Sequence, residues 1–235
     1  MVQFNVGVSG FSYPSWKGTF YAESTKSQDL LKAYATKLNS VEINSSFYHM
    51  PTKTISTKWS ASTPENFRFS FKANRKITHF MKLKGVGEEF GYFVDGLIPI
   101  KEKLGCILVQ LPPYLQQDLE TLETFLNQKP KWASVSLEVR HASWFGTKLN
   151  HLLAKYDTAL CVAETEDMKP VMEQTASFAY ARLRLDSYSK PELNTWAKKL
   201  VKFSSSLDNC FVYFKHDESG ETANRAADFA ALVGN

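Results

Sequence analysis

The sequence predicts an α/β fold, a single lean (β/α)8 barrel of the TIM type, and three observations carry the prediction. Eight short apolar runs of strand character recur along the chain, at Asn5–Gly10, Ser40–Tyr48, Phe67–Asn74, Leu104–Leu111, Ser134–His141, Thr158–Glu164, Ser177–Leu185 and Asn209–Lys215. Helix-period patterns separate most of these runs, the alternation that builds a parallel sheet. Spread over eight strand–helix units, the 235 residues allow about 29 each, enough for short connections only. An open doubly wound sheet is the rival arrangement of the same elements.

Among the connections, Ser27–Asn39 sets Leu30, Leu31, Tyr34, Ala35 and Leu38 on one helical face. Asp118–Gln128 does the same with Leu119, Leu122, Phe125 and Leu126. Ser189-Lys190-Pro191-Glu192 reads as a capping box with proline at the first helical position, opening a helix that carries Leu193, Trp196, Ala197, Leu200 and Val201. An alanine-rich helix from about Thr222 closes the chain. Two connections are weak: Pro99 interrupts the fourth helix, and Thr165–Thr175 is short for a crossover helix. A barrel incomplete or distorted around strands six and seven is therefore expected. With no Pro/Gly/Ser-rich linker and no shift of composition, residues 1–235 read as one domain.

Composition excludes several classes. Apolar residues at 43%, aromatics at 14% and charged residues at 22% describe an ordinary globular chain rather than a disordered, collagen-like or coiled-coil one. The clean apolar stretch Cys106–Val109 falls far short of the roughly 18 residues a membrane span requires. The opening MVQFNVGVSG lacks the basic region and apolar run of a secretory signal. Cys106, Cys161 and Cys210 each sit in a strand-like run, unpaired by any CxxC spacing, as buried reduced thiols do, and a cytoplasmic location is expected. The formal charge of +4 permits an anionic partner and falls short of a nucleic-acid footprint.

Side-chain parity is more informative. Along a strand, alternate residues face opposite sides. One set is apolar: Val41 and Ile43, Phe67 to Phe71, Val135 to Val139, Ala179 to Leu183, Cys210 to Phe214. The opposite set carries Glu42 and Asn44; Lys72 and Asn74; Gln110; Glu138 and Arg140; Glu164; Arg182 and Arg184; Tyr213 and Lys215. These polar groups concentrate at the C-terminal strand ends, where barrel active sites lie. Unpaired buried charge costs several kcal/mol, so such groups pair, reach water or hold a ligand. Five cations (Lys72, Arg140, Arg182, Arg184, Lys215) face three carboxylates (Glu42, Glu138, Glu164), an excess that favours an anion. The competing reading is an interior ion-pair network, such as Glu42–Lys72 and Glu138–Arg182, that serves stability alone.

The same residues carry a family pattern: Gly7-Val8-Ser9-Gly10-Phe11-Ser12-Tyr13 with Trp16-Lys17-Gly18-Thr19-Phe20-Tyr21, Val41-Glu42-Ile43-Asn44 with Phe47-Tyr48 and Pro51, and Phe67–Ala73 with Thr78-His79. Gln110-Leu111-Pro112-Pro113, Glu138-Val139-Arg140-His141 with Ser143-Trp144, Tyr180–Leu183 and Val212-Tyr213-Phe214 complete it. In these the sequence resembles the domain of unknown function 72 (YecE-like) family over nearly its whole length. The resemblance implies a TIM-type barrel and no established activity, and a distant likeness to endonuclease IV-like barrels adds nucleic-acid binding as a fold-level analogy. The family often has histidine and glycine where this chain has Arg184 and Leu185, and paired asparagines where it has Lys215 and His216, so this site is the more basic.

Other constellations yield less. Phe11, Tyr13, Trp16, Phe20 and Tyr21 follow the first strand; Trp16 and Phe20 are expected to plug the end of the barrel, and Tyr13 to meet the ligand. His49, His79, His141 and His216 follow strands, but no HxH, HExxH or CxxC spacing accompanies them, so no metal is expected and no cofactor is identified. Ser9 lacks the surroundings of a nucleophile elbow and is expected to line the ligand. The leading expectation is binding, with possible turnover, of an anionic phosphorylated compound. Lys72, Arg140, Arg182 and Arg184 would hold it, and Glu42, Glu138 or Glu164 with His141 would transfer protons. Ser9, Tyr13, Asn44, Asn74, Gln110, Tyr213 and Lys215 would complete the site. The alternatives are a nucleic-acid-binding protein or metal-dependent phosphodiesterase, and a non-catalytic small-ligand sensor.

Overall fold

A computed structural model of the chain describes residues 2–166 and 169–234; Asp167 and Met168, inside the Thr165–Thr175 connection, lie outside the described residues. The strands are β1 (Gln3–Val8), β2 (Ser40–Ile43), β3 (Arg68–Lys72), β4 (Leu104–Gln110), β5 (Val135–Glu138), β6 (Thr158–Leu160), β7 (Val162–Glu164), β8 (Phe178–Leu183) and β9 (Asn209–Phe214). The helices are α1 (Leu30–Tyr34), α2 (Lys53–Ala61), α3 (Gly87–Leu97), α4 (Leu119–Leu126), α5 (Thr147–Lys155), α6 (Lys190–Phe203) and α7 (Glu221–Leu232).

Every run expected to be a strand holds one, usually trimmed. Ser40–Tyr48 is strand only to Ile43, because Asn44 adopts helical backbone and Ser45–Phe47 winds into a 3-10 turn. Thr158–Glu164 divides at Cys161 into β6 and β7. The first helix is shorter than its pattern: a 3-10 turn at Ser27–Asp29 leads into five residues of α1. Helix α3 stops at Leu97, and Pro99 lies in the 3-10 segment Ile98–Lys103 that follows. The capping box at α6 forms as expected, with Pro191 second rather than first in the helix. No described residue between Thr165 and Thr175 is helical.

The strands form two parallel sheets, ordered β1-β9-β8-β7 and β2-β3-β4-β5-β6. The helix-facing parity builds the main core, in which Val41, Phe69, Phe71, Leu137, Ala181 and Val212 are buried. The opposite parity of both sheets makes a second apolar cluster: Cys106, Leu108, Ala159, Cys161, Ala163, Phe178, Tyr180, Phe211 and Tyr213.

The sheets meet at two seams where side chains replace ladder bonds. Between β1 and β2 a single bridge joins Ser9 to Glu42. Below it the buried Tyr34 hydroxyl accepts from Val8 N–H and donates to the Ser40 carbonyl, each at 2.9 Å. Asn39 accepts from Val6 N–H at 2.8 Å and donates to the Phe4 carbonyl at 2.9 Å. Only glycine fits at position 7, since a Cβ there would lie 2.0 Å from the Ser40 oxygen. At the other seam, the Thr175 hydroxyl accepts from Leu160 N–H at 2.9 Å and donates to the Thr158 carbonyl at 2.8 Å, while Cys161 N–H reaches Leu137 on the far side. A buried polar group without a partner costs about 1–3 kcal/mol.

Tyr34→Phe removes one oxygen and leaves two such groups, so it is expected to destabilise the fold by about 2–4 kcal/mol, read as a shift of the urea midpoint with an unchanged slope. A change under about 0.5 kcal/mol, the range of ordinary surface substitutions, would show that the seam does not need the hydroxyl.

Candidate functional site

At the C-terminal strand ends, three strands of the two sheets converge on one guanidinium. Arg182 ends the inward parity of β8 and is 1% exposed. Its Nη2 donates to Glu42 Oε1 on β2 at 2.9 Å, and its Nη1 donates to Glu138 Oε2 on β5 at 2.6 Å. Gln110, at the end of β4, accepts more weakly from the same Nη1 at 3.4 Å. Both carboxylates take further bonds: Glu42 also accepts from Ser9 Oγ and the Tyr180 hydroxyl, both at 2.8 Å, and Glu138 from Arg140 Nε at 2.9 Å.

Burial alone would raise the Glu42 carboxyl, but Arg182 and Arg184 outweigh it and hold the group at about 2. Burial likewise opposes Arg182 and Arg140 at Glu138, and the arginines again win, keeping it below its ordinary range. Both acids are therefore ionised, the state from which a carboxylate accepts a proton and not the one from which it donates.

The remaining cations ring this core. Arg184 donates to Ser9 Oγ at 2.7 Å, and burial, with Arg182 beside it, brings the guanidinium down to about 10. Arg140 leaves a third of its side chain open to solvent. Lys72, on the inward parity of β3, places its ammonium 4.1 Å from the centre of the Phe47 ring. Burial and then Arg182 lower it to about 8. Of the two expected ion pairs, Glu138–Arg182 forms, whereas Glu42 takes Arg182 in place of Lys72. Four cations (Lys72, Arg140, Arg182, Arg184) thus face two carboxylates (Glu42, Glu138).

Several expected members lie elsewhere. Glu164 accepts from the Tyr188 hydroxyl at 2.6 Å and from Trp196 Nε1 of α6 at 3.0 Å. Its parity is the helix-facing one, because Ala159, Cys161 and Ala163 take the inner positions. Lys215 lies beyond the last residue of β9 and pairs with Asp186 at the surface. Tyr213 is deep in the interior, bonded to Ser40 and Ser70. Asn74 spends its amide on the Ser46 carbonyl and on Lys76 N–H, shaping the loop after β3. His141 caps the turn Ala142–Trp144 by accepting from Ser143 N–H. Trp16 and Phe20 are fully buried, as expected of a plug.

Tyr13 stays at the rim. Its hydroxyl donates to the Ser9 carbonyl at 2.9 Å, its ring stacks on His216 at 4.9 Å, and Gly10 leaves room for it, since a Cβ there would lie 2.5 Å from the hydroxyl. Asn44 lines a neighbouring cavity of about 230 Å³ with Tyr13, Phe11 and Trp59, and its buried Oδ1 has no partner among the described residues. His79 was passed over as a ligand-site residue. It stands edge-on at 5.0 Å to Phe47, the ring that Lys72 also contacts, and burial, then Lys72 and Arg140, keeps its imidazole below the usual value. Only its position after a strand flagged it. Among the described residues no three His, Cys, Asp or Glu side chains gather as metal ligands would. No helix among them is long and apolar enough to cross a membrane.

Arg182→Met keeps the volume but strands two buried carboxylates, and is expected to cost about 3–5 kcal/mol. Adding Glu42→Gln and Glu138→Gln should recover part of that loss, measured by urea unfolding. Full stability of the single variant would show that the carboxylates do not depend on Arg182.

Comparison with known proteins places the chain. It is 28% identical to the UPF0759 protein YecE of Escherichia coli (strain K12) over 141 residues, 60% of this chain and 49% of that protein, so in this match it spans about half of that relative's length. It is 24% identical to the UPF0759 protein YunF of Bacillus subtilis (strain 168) over 92% of this chain and 90% of that one. The crystal structure of a DUF72 family protein from Thermotoga maritima MSB8 superposes with a TM-score of 0.88 at 25% identity, covering 99% of this chain and 100% of the other. The model of the family described as protein of unknown function DUF72 matches residues 5–235, and the chain belongs to that family.

Proposed function

We propose that the two sheets are arcs of one (β/α)8 barrel, a single domain over residues 1–235, and that its strand-end cluster binds an anionic, phosphorylated small molecule. The observation that carries this reading is the charge at the site: four cations against two carboxylates, with Glu42 bonded by Arg182, Ser9 and Tyr180 and Glu138 by Arg182 and Arg140. A network serving stability alone would need no cations beyond those that neutralise its acids. Here Arg140 is partly open and Lys72 has no ion pair among the described residues. Arginine forks suit phosphate or carboxylate oxygens, and a concave site focuses their field. Asn44 and Tyr13 would supply neutral contacts at the rim. The three unpaired, buried cysteines fit a reducing compartment such as the cytoplasm.

A second reading, single-stranded nucleic acid, has one observation in its favour. Arg75 lies 5.4 Å from the Tyr48 ring and 5.5 Å from the Phe80 ring, both well exposed, and Lys82 lies 5.5 Å from the exposed Tyr114. Rings interleaved with cations make stacking platforms.

Titration calorimetry with inorganic phosphate and glycerol phosphate tests the first reading. Arg140→Ala should weaken binding about tenfold or more, the worth of one charge-assisted hydrogen bond, and unchanged affinity would refute the assignment. Fluorescence binding of a labelled oligonucleotide tests the second: affinity should fall steeply as salt is raised, and absent or salt-independent binding rules it out.

A further inference from the structure

We infer that Lys72 is a nucleophile that forms a Schiff base with an anionic carbonyl compound, the arginines beside it holding the anion. The inference rests on the anion-binding reading of the same site and deepens it. Its basis is how differently this cation is treated from the rest. Arg182 is divided between Glu42 and Glu138, Arg140 donates to Glu138, Arg184 donates to Ser9, and Lys215 is tied to Asp186. Lys72 has no acceptor among the described residues for its ammonium hydrogens. The face of Phe47, 4.1 Å from the ammonium, offers a cation–π attraction but no lone pair. Both nearby carboxylates bond arginines and act on Lys72 only through space, where burial and Arg182 outweigh them.

This is the environment that activates a lysine amine: partial burial beside an apolar ring and next to other cations. The depression to about 8 follows from burial and from Arg182. An anion clamp alone would be better served by a fourth arginine, which cannot give up its proton at neutral pH. The residue used here is the one cation in the cluster that can.

The step balances without an added reagent. The unprotonated Nζ attacks the carbonyl carbon and a C–N bond forms. The carbonyl oxygen collects one proton from Nζ and one from solvent and departs as water, leaving a protonated C=N on Lys72. The substrate class follows: a ketone or aldehyde with a carboxylate or phosphate within reach of Arg140 or Arg184. His79, kept below its usual value and edge-on to the same Phe47 ring, is the nearby base that would accept a proton.

The experiment is reductive trapping on the full chain. The protein is incubated with pyruvate or with dihydroxyacetone phosphate, reduced with borohydride, and read by intact mass and peptide mapping. The expected result is one adduct, the mass of the carbonyl compound less one oxygen, on Lys72. Its initial rate should rise about tenfold per pH unit below 8 and level off above, whereas an ordinary surface lysine would keep rising toward pH 10. The adduct should vanish in both Lys72→Met and Lys72→Arg, with circular dichroism showing each variant folded. Labelling spread over surface lysines, labelling that persists in either folded variant, or no Lys72 adduct with both probes would overturn the inference. If wild-type protein binds inorganic phosphate yet gives no adduct, only the nucleophile fails; if it binds no phosphate, the anion reading fails first.

Discussion

One guanidinium holds the C-terminal strand ends of this molecule together. Arg182 belongs to the four-stranded sheet, and the carboxylates it divides its hydrogen bonds between, Glu42 and Glu138, belong to the five-stranded sheet. A desolvated arginine is tolerated only with its charge matched, and a desolvated carboxylate likewise. Each of the three therefore depends on the other two, and together they fix how β2, β5 and β8 approach. Everything outward of this triad takes its place from it: Ser9 and Tyr180 complete Glu42, and Arg140 completes Glu138. Lys72 and Arg184 are then left facing a field whose acids are already satisfied.

Much of this arrangement was legible in the sequence because the alternation there is sharp. In β2, β5 and β8, one parity is wholly apolar and the other carries Glu42, Glu138 and Arg182, so the inward set could be named before any coordinates. Strand six failed for a physical reason. In Thr158–Glu164 both parities are apolar, and the inner one is marked by small side chains, Ala159, Cys161 and Ala163, not by polarity. Small residues are needed there because Phe178, Tyr180, Phe211 and Tyr213 fill the neighbouring space. Choosing the polar Glu164 as inward reversed the strand. Lys215 failed because parity has no meaning past the last ladder pair, Val8 with Phe214. The seam residues Tyr34, Asn39 and Thr175 could not be foreseen, since their role depends on how the sheets meet.

The charge excess survived these corrections by compensation. Moving Glu164 and Lys215 away removes one acid and one base, so two uncompensated cations remain, now on a smaller and better-defined set of residues. Glu42 and Glu138, read from the sequence as proton carriers, are held ionised by arginine, while Glu164 is bonded to Tyr188 and Trp196. Lys72 and His79, both held below their usual values, contact the same Phe47 ring.

The side-chain hydroxyls at the seams let the two sheets meet without a continuous ladder between them. Strands β1, β2, β6 and β7 are the outer members of their sheets, and the N–H and C=O groups along such a strand must find partners when they are buried. Tyr34 and Thr175 occupy those groups at Val8, Ser40, Leu160 and Thr158. Two ordinary hydroxyl side chains thereby close the seams without requiring the register that a continuous ladder would impose. Loss of either would leave buried bonding groups unpaired beside the apolar core, so at each seam two such groups hang on a single oxygen atom.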